Sequence, residues 1–104
     1  MTAFTLNTNV LELTGLRNEI DGAWINDATV QATVVDLDGE EVAGETWPLS
    51  MPYVAASNGV YRALLVADLA LTAGRPYRAI ITVDAGDGIE GRWELRFKPR
   101  KRTD

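Results

Sequence analysis

The stretch Leu71-Thr-Ala-Gly74-Arg-Pro-Tyr77, which runs directly into Arg-Ala-Ile-Ile-Thr-Val, decides the fold of this chain. It places a leucine, a glycine and a tyrosine at the spacing L-x-x-G-x-x-Y just before a strand, which is typical of a tyrosine corner in a β-sandwich. In such a corner the ring enters the core, and the hydroxyl bonds to backbone a few residues upstream. We therefore predict that Tyr77 opens a strand of a β-sandwich.

Three segments, 28–35, 77–84 and 89–97, alternate between apolar and polar residues, which predicts strands with one buried and one solvated face. In the last segment the predicted buried face comprises Ile89, Trp93, Leu95 and Phe97. The other face carries charges of alternating sign: Glu90, Arg92, Glu94 and Arg96. We expect this charged row on the solvent side, where it could pair across to a neighbouring strand.

Weaker strand signals occur near 9–14, 41–49 and 59–66, and turn residues separate the segments. About seven short strands and a tyrosine corner predict an all-β, immunoglobulin-like or fibronectin-type β-sandwich over residues 9–97. An N-terminal arm (1–8) precedes it and a basic C-terminal tail (98–104) follows. Ala79 stands where antibody-type domains have a core cysteine, and the chain contains no cysteine, so we predict a sandwich without a disulfide.

The composition restricts the chemistry. The 104 residues include neither cysteine nor histidine, so thiolate nucleophiles, zinc–thiolate sites and histidine-based triads are excluded. Paired carboxylates could in principle hydrolyse glycosides, but a sandwich of this size without long insertions has little room for the cleft. We expect no enzyme, and no catalytic, cofactor or metal site.

Acidic residues collect in the loops. An up-and-down strand order would bring Asp21, Asp27, Asp84 and Asp87 to one end of the sandwich, and Asp36, Asp38, Glu40 and Asp68 to the other. Such clusters can ligate calcium through oxygen. Aspartate is also favoured in turns because its side chain bonds to nearby backbone, and we favour this second interpretation.

A proline-broken apolar loop, residues 48–56, is richer in apolar groups than a solvated loop should be. By the same strand count it lies at the end that carries Trp24. The candidate partner surface at this end comprises Trp24, Ile25, Met51, Tyr53 and Val54. Alternatively, the segment is an edge strand or folded-back flap that closes the core. We expect Trp47 and Trp93 to fill the space between the sheets.

The C-terminal tail concentrates positive charge in a chain of formal net charge −5. Its cations form a candidate electrostatic tail: Lys98, Arg100, Lys101 and Arg102. The tail could dock on an acidic neighbouring subunit or touch packaged nucleic acid, or it could be a frayed terminus. The acidic body otherwise argues against nucleic-acid binding.

Four segments together resemble a recurrent immunoglobulin-like module of tailed-bacteriophage and prophage structural proteins, found in heads, necks, tails and baseplates. They are 22–30 (GAWINDATV), 38–39 (DG), 59–63 (GVYRA) and 74–77 (GRPY). A similar pattern occurs in small periplasmic proteins, some of which handle metals or sugars. The absence of cysteine and histidine favours the virion branch.

The resemblance implies a non-enzymatic assembly protein that binds itself, as a homo-oligomer, or a head, neck or tail protein of the virion. Residues 1–7 lack a basic start and an apolar run, so we expect no signal peptide and a location in the virion or host cytoplasm. No apolar stretch has the length of a membrane span, so we expect no membrane partner. The alternative is a small module that binds a carbohydrate or other surface group on Trp24, Tyr53 or Trp47.

Overall fold

The computed structural model describes residues 3–18, 20–86, 88 and 90–101. These residues form six strands: β1 (Asn9–Leu13), β2 (Thr29–Asp36), β3 (Leu49–Ser50), β4 (Tyr61–Leu65), β5 (Tyr77–Asp84) and β6 (Glu90–Phe97). None of the described residues is helical, and so none forms a helix that could cross a membrane.

The strands form two antiparallel sheets. One sheet pairs β1 with β4, and the other has the order β3-β2-β5-β6. Apolar residues of both sheets meet in one core, which confirms the predicted all-β sandwich. The sandwich is held by packing and hydrogen bonds, because the chain has no cysteine.

The predicted strand over 41–49 shrinks to β3 and an isolated bridge between Val35 and Glu41. Gly44 explains part of the difference, because its φ of 107° lies outside the strand region. A Cβ at Gly44 would lie 3.0 Å from the carbonyl oxygen of Asp68, so the chain passes close to that backbone. The described chain therefore has six strands where we predicted about seven.

The alternation predicted for β2 and β5 is confirmed. On β5, every second side chain from Tyr77 to Val83 is at most 5% exposed. Since successive side chains of a strand point to opposite faces, these residues lie on the face packed against the other sheet.

The middle of β6 departs from the prediction. Trp93 is 41% exposed and does not fill the space between the sheets. Its ring lies along its own strand over Gly91, where an added Cβ would be 2.7 Å from the ring. Phe97 is buried and stacks on Tyr77 with ring centroids 5.8 Å apart, and Ile89 lies outside the described residues. Trp47 is half-buried against the core, as expected, and its Nε1 donates to the carbonyl of Val42.

The tyrosine corner is present. The Tyr77 hydroxyl accepts the backbone N–H of Thr72 at 2.8 Å, five residues upstream. Gly74 has a φ of 80°, a conformation that favours glycine, and its N–H donates to the carbonyl of Pro99. The corner therefore fixes the entry to β5 and also ties it to the chain that leaves β6.

A second buried hydroxyl joins the two sheets at the opposite end. Tyr61, at the start of β4, donates to the carbonyl of Ile25 at 2.8 Å and accepts the N–H of Ala28 at 3.1 Å. Residues 25–28 lead into β2, so the two bonds connect one sheet to the other. Burial raises the pKa of Tyr61, which keeps the hydroxyl protonated and able to donate.

We predict an order of stability loss when each tyrosine is changed to phenylalanine. Tyr61→Phe leaves a buried carbonyl and an N–H unpaired and should cost about 2–3 kcal/mol, whereas Tyr77→Phe loses one acceptor and should cost about 1–2 kcal/mol. Tyr53→Phe is the control, at about 0.5 kcal/mol or less, since its hydroxyl accepts longer bonds of 3.2 and 3.3 Å in a surface turn. Urea unfolding at neutral pH measures the three values. A Tyr77→Phe loss no larger than that of the control would show that the corner hydroxyl does not stabilise the fold.

Candidate interaction surface

The structure brings the two halves of the candidate partner surface to one end of the sandwich. Tyr61 links them, because its hydroxyl binds Ile25 while its ring packs against Tyr53 with centroids 5.7 Å apart. Residues 15–16 lie at the same end, where the N–H of Leu16 donates to the carbonyl of Gly59. The predicted proximity of Ile25 to the apolar loop is therefore present.

Most of the five residues nevertheless do not form a surface. Met51 is 1% exposed and Ile25 is 9% exposed, so both belong to the core and leave the candidate partner surface. Met51 is held against the sheet because its N–H donates to the carbonyl of Val30, which continues the pairing of β3 with β2. Tyr53 and Val54 are half-buried. The loop acts mainly as a folded-back flap that closes the core.

Trp24 is the member of the set that stays exposed, at 41%. The guanidinium carbon of Arg17 lies 4.0 Å from the centre of its ring, within the range of a cation–π contact. A backbone bridge between Arg17 and Trp24 holds the two segments together. One face of the ring is thus covered by a cation.

A cleft of about 780 Å³ opens next to Arg17 and Ile25, between the end of β1 and the first half of β6. Its apolar walls include Leu13, Leu16, Val83 and Trp93, and Arg17 and Glu90 supply charges. The sequence does not predict this cleft, because residues 13–18 on one wall are far along the chain from Glu90, Gly91 and Trp93 on the other. Alternation places Trp93 on the same face of β6 as Phe97, but it does not show whether the other sheet covers β6 at Trp93.

The basic tail is attached to the domain as far as Arg100. The N–H of Arg100 donates to the carbonyl of Ala3, its carbonyl accepts the N–H of Thr5, and both distances are 2.9 Å. Pro99 is buried, whereas Lys98, Arg100 and Lys101 are exposed. Arg102 lies outside the described residues. The described tail and the N-terminal arm therefore form one paired element that displays cations.

The acidic loops are organised as turns. One Asp36 carboxylate oxygen accepts the backbone N–H groups of Asp38 and Glu40, and Asp84 accepts that of Gly86. Asp87 lies outside the described residues. Within the described ranges, no three carboxylates come together as a group that could hold a metal ion.

Comparison with known proteins adds no further assignment: no family model, no curated protein and no solved structure matches this chain.

The burial pattern predicts different effects for two residues of the apolar loop. Met51→Ala should destabilise the fold by about 2–5 kcal/mol, because it removes a fully buried side chain and leaves a cavity. Val54→Ala, at a half-buried position three residues later, should cost about 1 kcal/mol or less. Chemical unfolding of the two variants provides the comparison. Equal small losses would place Met51 at the surface.

Proposed function

We propose that this chain is a non-enzymatic structural protein of a phage or prophage particle, and that it binds copies of itself or a head, neck or tail protein. The observation that carries the proposal is the open side of the sandwich, where β6 ends a sheet beside the cleft and leaves Trp93 half-exposed. The resemblance of residues 20–97 to phage modules supports the choice of particle.

An open sheet edge is well suited to assembly. β6 is eight residues long, contains no proline and lies at the end of its sheet in the described part of the chain. Such an edge presents unpaired backbone N–H and C=O groups that a strand of another chain can satisfy. The same contact would also remove from water the leucine, valine and tryptophan side chains that line the cleft. Their burial would add hydrophobic stabilisation.

Charge gives the assembly a second means of attachment. The chain as a whole is acidic, with a formal net charge of −5, whereas the arm-and-tail element displays Lys98, Arg100 and Lys101. Opposite charges on different surfaces favour contacts between neighbouring subunits and orient them. We place the protein in the virion or, before assembly, in the host cytoplasm.

A second candidate, a module that binds a carbohydrate or another surface group, is favoured by one observation. Trp93 is 41% exposed and lines the cleft of about 780 Å³, and Trp24, which is exposed to the same extent, packs on Arg17 of the cleft wall. Aromatic rings can bind the apolar faces of sugars. Trp47 and Tyr53, the other predicted platforms, are half-buried, so the exposed rings are those of Trp24 and Trp93.

For the assembly proposal, we predict that the protein is present in particles at a fixed stoichiometry. Particles purified from the native source by density gradient should contain the chain in a constant ratio to the major head or tail protein, because a structural subunit occupies defined positions. Quantitative mass spectrometry across the gradient measures the ratio. Recovery of the chain only in the soluble fractions at the top of the gradient would contradict the proposal.

Tryptophan fluorescence tests the second candidate. We expect no saturable change when a panel of mono- and oligosaccharides is added, because an assembly surface has no need of a sugar site. Trp93→Phe serves as the matched variant. A saturable change in the wild type that is lost in this variant would instead support ligand binding in the cleft.

A further inference from the structure

The outward charges of β6 have a property that its fold does not require. The outward residues are, in chain order, Glu90, Arg92, Glu94 and Arg96. Their charges alternate from negative to positive, so the same row read in the opposite direction carries the opposite charge at every position. Two copies of this strand, placed antiparallel and centred on Trp93, would therefore match an acid with a base at all four outward positions. Glu90 would face Arg96 of the second copy, and Arg92 would face its Glu94.

Pairing inside the chain does not account for this pattern. In the register of β5 with β6, Glu90 lies opposite Asp84, and Arg96 lies opposite Arg78. Like charges directly opposite each other on antiparallel strands are destabilising. Glu94 has partners in Arg92 at 2.9 Å and Arg78 at 3.7 Å, but its direct cross-strand neighbour is Ile80. The ends of the charged row thus have no complementary neighbour on β5.

Among the described residues, no strand pairs with the other edge of β6. At Arg100 the N-terminal arm occupies the continuation of this edge, through the bonds to Ala3 and Thr5. Pro99 uses its carbonyl on the other side, toward Gly74. The arm contacts residue 100 and leaves β6 itself, residues 90–97, as the terminal strand of the sheet in the described part of the chain.

We propose that β6 pairs antiparallel with β6 of a second copy, about a two-fold axis at Trp93. This inference rests on the proposed function and specifies its self-binding surface. The two four-stranded sheets become one continuous sheet of eight strands, and Trp93 lies beside Trp93 of the second copy. Gly91 faces Leu95 of the second copy, and the two open clefts meet across the axis.

The charge pattern selects this register among the alternatives. A shift of two residues in one direction places Arg92 opposite Arg92 of the second copy, and a shift in the other direction places Glu94 opposite Glu94. A shift of one residue places the apolar side chains of one copy beside the charged side chains of the other, on the same face of the sheet. Parallel, in-register pairing brings like charges side by side. The antiparallel register centred on Trp93 is the one that satisfies all four charges.

The apolar face supports the same arrangement. Trp93 is 41% exposed and would be covered by its symmetry mate, as a cross-strand aromatic pair. Gly91 leaves room for the ring, because a Cβ there would lie 2.7 Å from it. A single edge with one aromatic pair is a small interface. We therefore expect weak association in solution that many copies held in a particle would reinforce.

Charge reversal at the two ends of the row tests the pairing. Glu90→Arg and Arg96→Glu each create two like-charge contacts across the two-fold axis and should weaken self-association about tenfold, which corresponds to about 1.4 kcal/mol. The double variant Glu90→Arg/Arg96→Glu restores opposite charges and should regain the affinity of the wild type. Sedimentation equilibrium of the full chain at low salt, over a concentration series reaching the millimolar range, measures all four proteins.

We expect the same substitutions to preserve the fold of the single chain. Within the chain Glu90→Arg faces Asp84 and Arg96→Glu faces Arg78, so each single change replaces a like-charge pair by an opposite pair. Thermal unfolding of the single variants should show melting temperatures equal to or above that of the wild type. Loss of association together with retained stability separates an interface effect from misfolding.

A cysteine placed on the axis tests the register directly, since the chain has no cysteine of its own. Trp93→Cys should form an intermolecular disulfide under mild oxidation, because residue 93 faces itself. Leu95→Cys is the control and should remain uncrosslinked, because residue 95 faces Gly91 of the second copy.

The outcomes distinguish this inference from the proposed function. A wild type that stays monomeric at millimolar concentration, or single variants that associate as well as the wild type, would overturn β6 pairing. A double variant that remains as weak as the single ones, or efficient crosslinking of Leu95→Cys, would overturn the register. None of these results touches the particle stoichiometry, which tests the proposed function independently.

Discussion

The hydroxyl of Tyr61 is the contact on which the two-sheet arrangement depends. Its residue begins β4, while its two hydrogen-bond partners, Ile25 and Ala28, lie on the segment that leads into β2. Two further hydrogen bonds support this link: the N–H of Gly59 donates to Oδ1 of Asn26, and the N–H of Arg62 donates to the carbonyl of Pro52. Because an unpaired buried hydroxyl is costly, the bonds also fix where one sheet lies on the other. The apolar loop packs against the same ring through Tyr53.

The position of the small sheet also determines which part of the large sheet is left uncovered. The small sheet covers β2 and β5 well enough to bury their inner faces, but the middle of β6 meets a cleft. At the far end the tyrosine corner, Phe97 and Pro99 close the sandwich, and the arm pairs with Arg100. Each end of the sandwich is thus stabilised by a tyrosine hydroxyl bonded to backbone. The open side is where we propose assembly, since it combines a terminal strand in the described part of the chain, a half-exposed tryptophan and charges that are complementary to their own reversed order.

Local pattern predicted much of the fold. The corner at Tyr77, the inward residues of β5 and the turn at Asp36 follow from spacing and turn chemistry, which act over a few residues. The candidate partner surface was predicted less well: Trp24 is exposed, whereas Met51 and Ile25 are buried. Apolar composition shows that a segment avoids water but not whether its own core or another chain provides the cover. For the same reason, the prediction that Trp93 fills the space between the sheets was wrong.

The sequence by itself determined an all-β chain without disulfide or histidine chemistry, because residue types and period-2 alternation depend only on neighbours along the chain. The sequence also contains the alternating charges of β6, which are complementary to the same row read in the opposite direction. Only the tertiary structure decided that β6 ends a sheet, that Asp84 and Arg78 repel the ends of that row, and that a cleft lies beside Trp93. The reason is physical: strand order, register and coverage arise from contacts between residues far apart in the chain.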